Sequence, residues 1–556
     1  MTLDSQQLQH RLIRRLGPAV LFAGLMLAGP LLAQTFTVNS IADNADAALD
    51  GQCATGNQID AQPECTLRAA LQEVNNAGPT PSEINFDIAG CPNDLCVISI
   101  DTLGGQSLPL ITSPVILDAS TQPGSAGVCQ SDIINRPAYG IALEGSGTTE
   151  SYGLHLASGS NGSVIRGLNI RNFEHGIMLV GSNENRIECN AIGTDSTGML
   201  PGPGNLVSGI FLACDSAGNV IGGADPLLAN LIGANGVDGV QIFGGYTDCG
   251  GDLPEDNMPV NNAALGNQIG IAADGTSPLG NELAGIAIFG GPGADDNLIG
   301  VLQDRETVYG NVIGLNGTAG LYIDSDGLDN VGQPQLKPTE NTVVQGNYFG
   351  TDRNGVLDLG NTLAGIDIIR GASTLIGGPD AEDANVFAFN GNGGIDDGGI
   401  YMERQMSDRN RIQRNVMYAN QPHGIIFKED LEEEPEDTGP NNLQPGPVMS
   451  STFKEEGTVS ITYSVPDQVD NFPLVIEFFL ADGEREQGRL FLIEDSYPAA
   501  GNTTLTFSST QIEAGQFLVA TATDSLGNTS EFSAVSELLG EVPIEFDRIF
   551  QDRFEQ

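Results

Sequence analysis

From Asn185 to Phe427 apolar and polar residues alternate in very short runs, each broken by Gly or Asn. Alternation with period two is the signature of a strand with one buried face. The dipeptide Gly-Ile or its equivalent recurs at Gly176, Gly209, Gly239, Gly285, Gly320, Gly365, Gly399 and Gly424, and the shortest interval is the 25 residues from Gly399 to Gly424. A longer period overlies this one. Asp195 in Ile-Gly-Thr-Asp, Asp274 in Ile-Ala-Ala-Asp and Asp352 in Phe-Gly-Thr-Asp stand 79 and 78 residues apart. Asn219-Val-Ile-Gly-Gly, Asn230-Leu-Ile-Gly, Asn311-Val-Ile-Gly and Leu375-Ile-Gly-Gly mark further strands between them. Two or three alternating apolar residues cannot bury themselves alone, but stacked copies share one continuous core. Gly and Asn suit the corners because both tolerate left-handed backbone, and stacked Asn side chains can bond from coil to coil. The pattern predicts an all-β chain built on a parallel β-helix.

The flanks read differently. Residues 1–33 carry Arg11, Arg14 and Arg15 ahead of an apolar run from Leu16 to Ala28, with Leu31-Leu-Ala33 before Gln34. That is the plan of a secretory signal, too short to span a bilayer comfortably, and no later segment is apolar enough to cross one. Residues 34–83 suit an N-terminal cap, with a helix starting at Thr66, running through Leu67, Ala70, Leu71 and Val74, and ending before Gly78-Pro79. Arg68 and Glu73 are expected as surface or cap contacts rather than catalytic groups. Coiling is expected over residues 84–428, and residues 429–447 read as an acidic linker. Over residues 448–540, Val459-Ser-Ile-Thr-Tyr-Ser-Val, Leu474-Val-Ile-Glu-Phe-Phe-Leu, Thr504-Leu-Thr-Phe and Phe517-Leu-Val-Ala-Thr-Ala-Thr-Asp predict a small β-sandwich. The tail, residues 541–556, places Phe546, Ile549, Phe550 and Phe554 at helical spacing; it reads as a sorting signal or as an apolar stripe resting on the sandwich.

The segment Cys65-Thr-Leu-Arg-Ala-Ala-Leu71, preceded by Phe36-Thr-Val-Asn-Ser, together with Thr121-Gln-Pro-Gly124 and the Gly-Thr-Asp loops, resembles secreted bacterial proteins with a CSLREA-type N-terminal motif. These belong to the right-handed parallel β-helix proteins of the pectate-lyase-like superfamily. The resemblance spans most of the mature chain and implies a right-handed parallel β-helix solenoid with an N-terminal cap and a C-terminal immunoglobulin-like β-sandwich. Asp524-Ser-Leu-Gly-Asn-Thr-Ser-Glu-Phe-Ser resembles the last hairpin of such modules, which usually space or bind. A fold of this kind does not name an activity.

Composition narrows the partners. The 556 residues hold 22 basic and 72 acidic side chains, 73 Gly and no Trp. Removing residues 1–33 takes away three Arg and Asp4 and leaves a net charge of −52. That balance repels phosphate and disfavours nucleic acid. Aromatic stacking on sugars lacks Trp but keeps ten Tyr. All eight Cys lie in the mature part, an even number that suits an exported, disulfide-bonded chain. Cys53 with Cys65 and Cys91 with Cys96 are plausible local pairs, while the pairing of Cys129, Cys189, Cys214 and Cys249 stays open. The three mature His are scattered, which disfavours zinc.

In stacked coils a site is assembled from different turns about 4.8 Å apart. The residues after each Gly-Ile point outward in two rows. Early coils show apolar rows, such as Met178, Phe211 and Ala287. Late coils place Tyr322, Asp367 and Tyr401 in one row and Asp324, Ile369, Glu403 and Lys428 in the next, with Arg370 and Arg404 adjoining. The candidate catalytic groups are therefore Asp324, Asp367, Arg370, Glu403 and Arg404, with Tyr322 and Tyr401 as substrate contacts. Uronate lyases of the resembling superfamily use carboxylates to hold calcium and a basic residue to remove a proton. Paired carboxylates also serve glycoside hydrolysis. Asp324, Asp326 and Asp329 form a candidate Ca2+ loop. Against this, outward strand residues are ordinarily polar, and Asp–Arg pairs across coils compensate charge. The Asp of the Gly-Thr-Asp loops suit turns better than ligation.

Two readings follow. The first is a secreted or surface-displayed monomeric rod with a structural, adhesive or glycan-binding role. The second is a calcium-dependent polysaccharide lyase or glycoside hydrolase acting on acidic polysaccharide. A substrate-sized cleft around Asp367 would favour the enzyme, and a flat face of Asp–Arg pairs the rod. The missing catalytic signature favours the rod.

Overall fold

The computed structural model describes residues 33–100, 107–125, 127–245, 249, 258–290, 294–301, 310–325, 338–394, 397–404, 406–428, 439–466 and 471–540. The segment up to residue 32 expected as a signal, Asp326, Asp329 and the tail 541–556 lie outside these residues. The chain winds into a parallel β-helix of three sheets. The first has 11 strands, from Thr35–Val38 to Arg411–Gln413; the second has 10, from Cys96–Ser99 to Val416–Tyr418; the third runs from Tyr152–Ala157 to His423–Lys428. The short alternating runs found in the sequence are its rungs. On the third sheet Ile177, Ile210, Val240, Ile286, Leu321, Ile366, Ile400 and Ile425 stand in register one above another. None is more than 3% exposed. Each such side chain contributes about 1.5–3 kcal/mol by leaving water.

The corners are held by Asn ladders. At one, Asn205, Asn235, Asn281, Asn316, Asn361, Asn390 and Asn420 each donate Nδ2–H to the next side-chain oxygen at 2.9–3.1 Å, and Asn420 passes the bond to Gln487 of the sandwich. A second ladder runs from Asn190 through Asn230, Asn267, Asn311, Asn347 and Asn385 to Asn415. A third links Asn185, Asn219, Asn262 and Asn297, and its last rung is Asn410 to Asn441. Asn is suited because one side chain both accepts and donates. Stacked Asn were anticipated, but their backbone is not what turns the corner. The left-handed residue comes immediately before the Asn, at Cys189, Ala234, Leu315, Phe389 and Ala419. This conformation costs a non-glycine residue about 1–2 kcal/mol, offset by the ladder that follows. Gly is obligatory in Ile-Gly corners such as Gly270, at φ +82, where a Cβ would run into the Gly314 carbonyl.

The N-terminal end is closed by the helix Leu67–Ala77, capped by Thr66, whose hydroxyl accepts from Ala69 N–H at 3.1 Å. Leu67, Ala70, Leu71 and Val74 enter the solenoid core. Of the two contacts expected for Arg68 and Glu73, the cap contact is the one made, and both residues are buried. Arg68 grips Asp43 through two bonds of 2.9 and 2.7 Å, and Glu73 accepts the backbone N–H groups of Asp50 and Gly51, each at 2.9 Å. The Thr35–Val38 strand pairs with Ser82–Phe86, so the first rung of the solenoid lies within the segment expected as cap. Disulfides join Cys53–Cys65, Cys91–Cys96, Cys129–Cys189 and Cys214–Cys249.

The other end is closed by the sandwich. One sheet carries Thr503–Ser508, Thr458–Ser464, Val448–Glu455 and Leu539–Gly540; the other carries Arg485–Tyr497, Leu474–Asp482, Phe517–Thr523 and Ser536–Glu537. Ile476 and Phe478 face the sandwich core, whereas Phe479, Ala481, Val519 and Phe532 join the solenoid core. The continuous apolar run at Leu474 is therefore a strand buried on both faces. Sandwich side chains satisfy the last coil's free amides: Thr529 Oγ1 accepts from Ile412 at 3.0 Å, Asp482 from Ala419 at 2.8 Å and Gln487 from Asn420 at 3.0 Å. Asn441, inside the segment expected as linker, continues a corner ladder.

Candidate functional site

The candidate groups sit on the outward face of the third sheet, on strands Ala319–Asp324, Ala364–Ala372, Gly398–Glu403 and His423–Lys428. Tyr322, Asp367, Tyr401 and Ile426 are register partners, as the Gly-Ile spacing predicted. The second row departs from expectation. A register shift after Ile323 sets Asp324 opposite Arg370, not Ile369. The consecutive apolar pair Ile368-Ile369 breaks the alternation and was the available signal for this bulge. Its consequence is direct: Asp324 Oδ1 lies 2.8 Å from Arg370 Nη1.

Two compact polar groups result. In the first, the Tyr322 hydroxyl donates to Asp324 Oδ2 at 3.0 Å while Arg370 holds the other oxygen. Burial, with the Asp324 carboxylate alongside, pushes the Tyr322 hydroxyl well above its ordinary value, so it stays protonated. In the second, the Tyr401 hydroxyl donates to Glu403 Oε2 at 3.2 Å, and Glu403 is flanked by Arg404 Nε at 3.6 Å and Lys428 Nζ at 3.4 Å. Asp324 and Glu403 are 6% and 8% exposed. Lys428 was placed in the row by the spacing but not recognised as the partner of Glu403. Tyr401 is only 3% exposed, so its ring does not offer the sugar-stacking surface expected of it. Tyr322 and Asp367 are half-buried.

This arrangement brings together Tyr322, Asp324 and Arg370, and separately Tyr401, Glu403 and Arg404, with Asp367 in the row between the two Tyr. Among the described residues no three His, Cys, Asp or Glu converge as a metal site. Asp324, one of the three candidate calcium ligands, is engaged with Arg370; the other two, Asp326 and Asp329, lie outside the described residues. The Asp of the repeated loops are turn formers. Asp274 accepts from Thr276 and Ser277 N–H, and Asp352 from Val356 and Leu357 N–H, at 2.7–2.9 Å. Set against the pull of burial, these bonds hold both carboxyls below their ordinary value.

Earlier on the same face lies a feature that the apolar rows did not announce. Tyr152, His175, Phe211, Phe243 and Phe289 form a chain of ring contacts with centroids 4.6–6.0 Å apart, and His155 meets Tyr152 edge-on at 5.4 Å. His175 and Phe211 are buried, and the Cys214–Cys249 bridge packs against Met178 and Phe211. Burial pushes both His155 and His175 down to about 4, so both are neutral near pH 7. The other rings, Tyr152, His155, Phe243 and Phe289, are half-buried.

No protein-family model matches the chain, and no curated protein matches it. Solved structures do. An alginate lyase from Paenibacillus sp. str. FPU-7 aligns at 12% identity and a TM-score of 0.27, covering 60% of this chain and 95% of the lyase. The catalytic domain of a GH87 alpha-1,3-glucanase in complex with nigerose aligns at 14% identity and a TM-score of 0.29, covering 72% of this chain. The chain spans 56% of the length of that glucanase domain. At these values the likeness carries no argument about activity.

Proposed function

We propose that this chain is an exported or surface-displayed rod of the CSLREA-bearing β-helix kind, with a structural or adhesive, glycan-binding role rather than a catalytic one. One observation carries the reading: two of the three candidate carboxylates of the late-coil face are already ion-paired, Asp324 with Arg370 and Glu403 with Arg404 and Lys428. A lyase needs a carboxylate available to a metal and a base able to lose its proton. The Arg370 guanidinium is instead held 2.8 Å from the Asp324 carboxylate. Glycosidase chemistry needs one carboxyl that keeps its proton and one that does not, and here Asp324 and Glu403 are both engaged by cations. The four disulfides suit an oxidising compartment.

Binding to immobilised polysaccharides, acidic and neutral, tests the adhesive part. The wild type is expected to bind at least one saturably, and Tyr322→Ala with Asp367→Asn to weaken that binding about tenfold, which is about 1.4 kcal/mol. Binding indifferent to both substitutions would contradict this face as the docking surface.

A further inference from the structure

We infer that the seam between the last coil and the sandwich is an acid-tightened joint: the neutral carboxyl of Glu477 holds it closed, and ionisation of that group loosens it. This rests on the seam alone and is independent of the glycan reading. Glu477 projects from Leu474–Asp482 on the face that carries Phe479 and Ala481 into the solenoid core, and is 1% exposed. Its Oε2 accepts one bond, from Arg414 N–H of the coil at 3.1 Å. Its Oε1 is buried with no hydrogen-bond partner among the described residues, and the same holds for the hydroxyl of Thr521, its register partner on Phe517–Thr523. A carboxylate in that position is desolvated and under-bonded, and the neutral acid loses less on burial.

The charged neighbours do not rescue the anion. From the coil, the Arg414 guanidinium turns away, 3.0 Å from Glu494 and 4.5 Å over the Phe491 ring. Arg411, also from the coil, is shared with Asp524 at the end of the Phe517–Thr523 strand. Glu494, directly opposite Glu477 on Arg485–Tyr497, adds repulsion. Burial pushes Glu477 up to about 7 from 4.5, against the pull of the Arg414 N–H and the two guanidinium groups. A carboxyl raised in the closed state stabilises closure fully below its free value of 4.5, and that contribution is lost as pH rises through about 7.

Hydrogen exchange of the full chain reads this directly at the coil amides that bond across the seam, those of Ile412, Arg414 and Asn420. After correction for intrinsic exchange, wild-type protection at these amides should fall by about 100-fold between pH 5 and pH 8. Core amides such as Ile286 should keep theirs. Glu477→Gln, which keeps the acceptor for Arg414 and cannot ionise, should hold the protection level across the same range. Wild-type protection that does not change with pH would overturn the inference without recourse to any variant. So would an identical fall in wild type and Glu477→Gln.

Discussion

At the scale of single residues, Asn does the most structural work per side chain. Asn316 accepts from Asn281 N–H and Nδ2–H at 3.2 and 2.9 Å and donates to Asn361 at 3.0 Å. Asn316→Ala removes the acceptor of two buried donors, and an unsatisfied buried group costs about 1–3 kcal/mol. Denaturant unfolding should show a loss of about 2–4 kcal/mol. A second residue acts through charge. Glu64 is buried and accepts from Ser40, Asn44, Thr55 and Asn57. Burial pushes its carboxyl up, but those four bonds together hold it down at about 2. Its contribution is present above its ordinary 4.5 and is lost as pH falls through about 2. Glu64→Gln should therefore lower the melting temperature at pH 7, with the difference closing in acid. Positions like these were only half legible in the sequence. The recurrence of Asn at fixed intervals showed the ladders, but no local cue tells that Gln487, in a run of charged residues, is the last rung of one.

At the scale of elements, the strands were read from alternation and the cap helix from its Thr66 start and apolar spacing, because both periods are imposed by burial on one side. Deviations from the period were harder to see. The bulge after Ile323 re-pairs Asp324 with Arg370, and this single shift converts a row of candidate catalytic groups into an ion pair. Likewise Arg485–Tyr497 was missed as a strand because its charges mask the alternation, although it is the edge of the sheet that meets the last coil. The cap helix gives a sharp prediction. Arg68 joins it to Asp43 and, at 2.8 Å, to the Ser107 carbonyl. Arg68→Ala leaves a partly buried Asp43 without its cation and should cost about 3 kcal/mol in denaturant unfolding. Arg68→Lys should recover only part of this, because an ammonium cannot reproduce the two-pronged grip.

At the scale of the whole molecule, both ends of an otherwise open stack are closed, by a helix at one end and by a sandwich at the other. The sandwich looked like a spacer in the sequence because its own strands and core were visible and its outer face was not. Phe479 and Phe532 belong to the solenoid core, so removing residues 448–556 uncovers Met417, Ile425 and the free amides of the last coil. The shortened chain should associate at concentrations where the intact chain is monomeric, as light scattering would show. Under the proposed function, the late-coil face binds without turning over substrate. The most direct test is to follow unsaturated uronate products and new reducing ends over a panel of acidic and neutral polysaccharides, with calcium and with chelator, for wild type and Asp367→Ala. No product is expected from either protein on any substrate. Calcium-dependent product formed by the wild type and abolished by Asp367→Ala would contradict the proposed function and place an active site on the strands from Ala319 to Glu403.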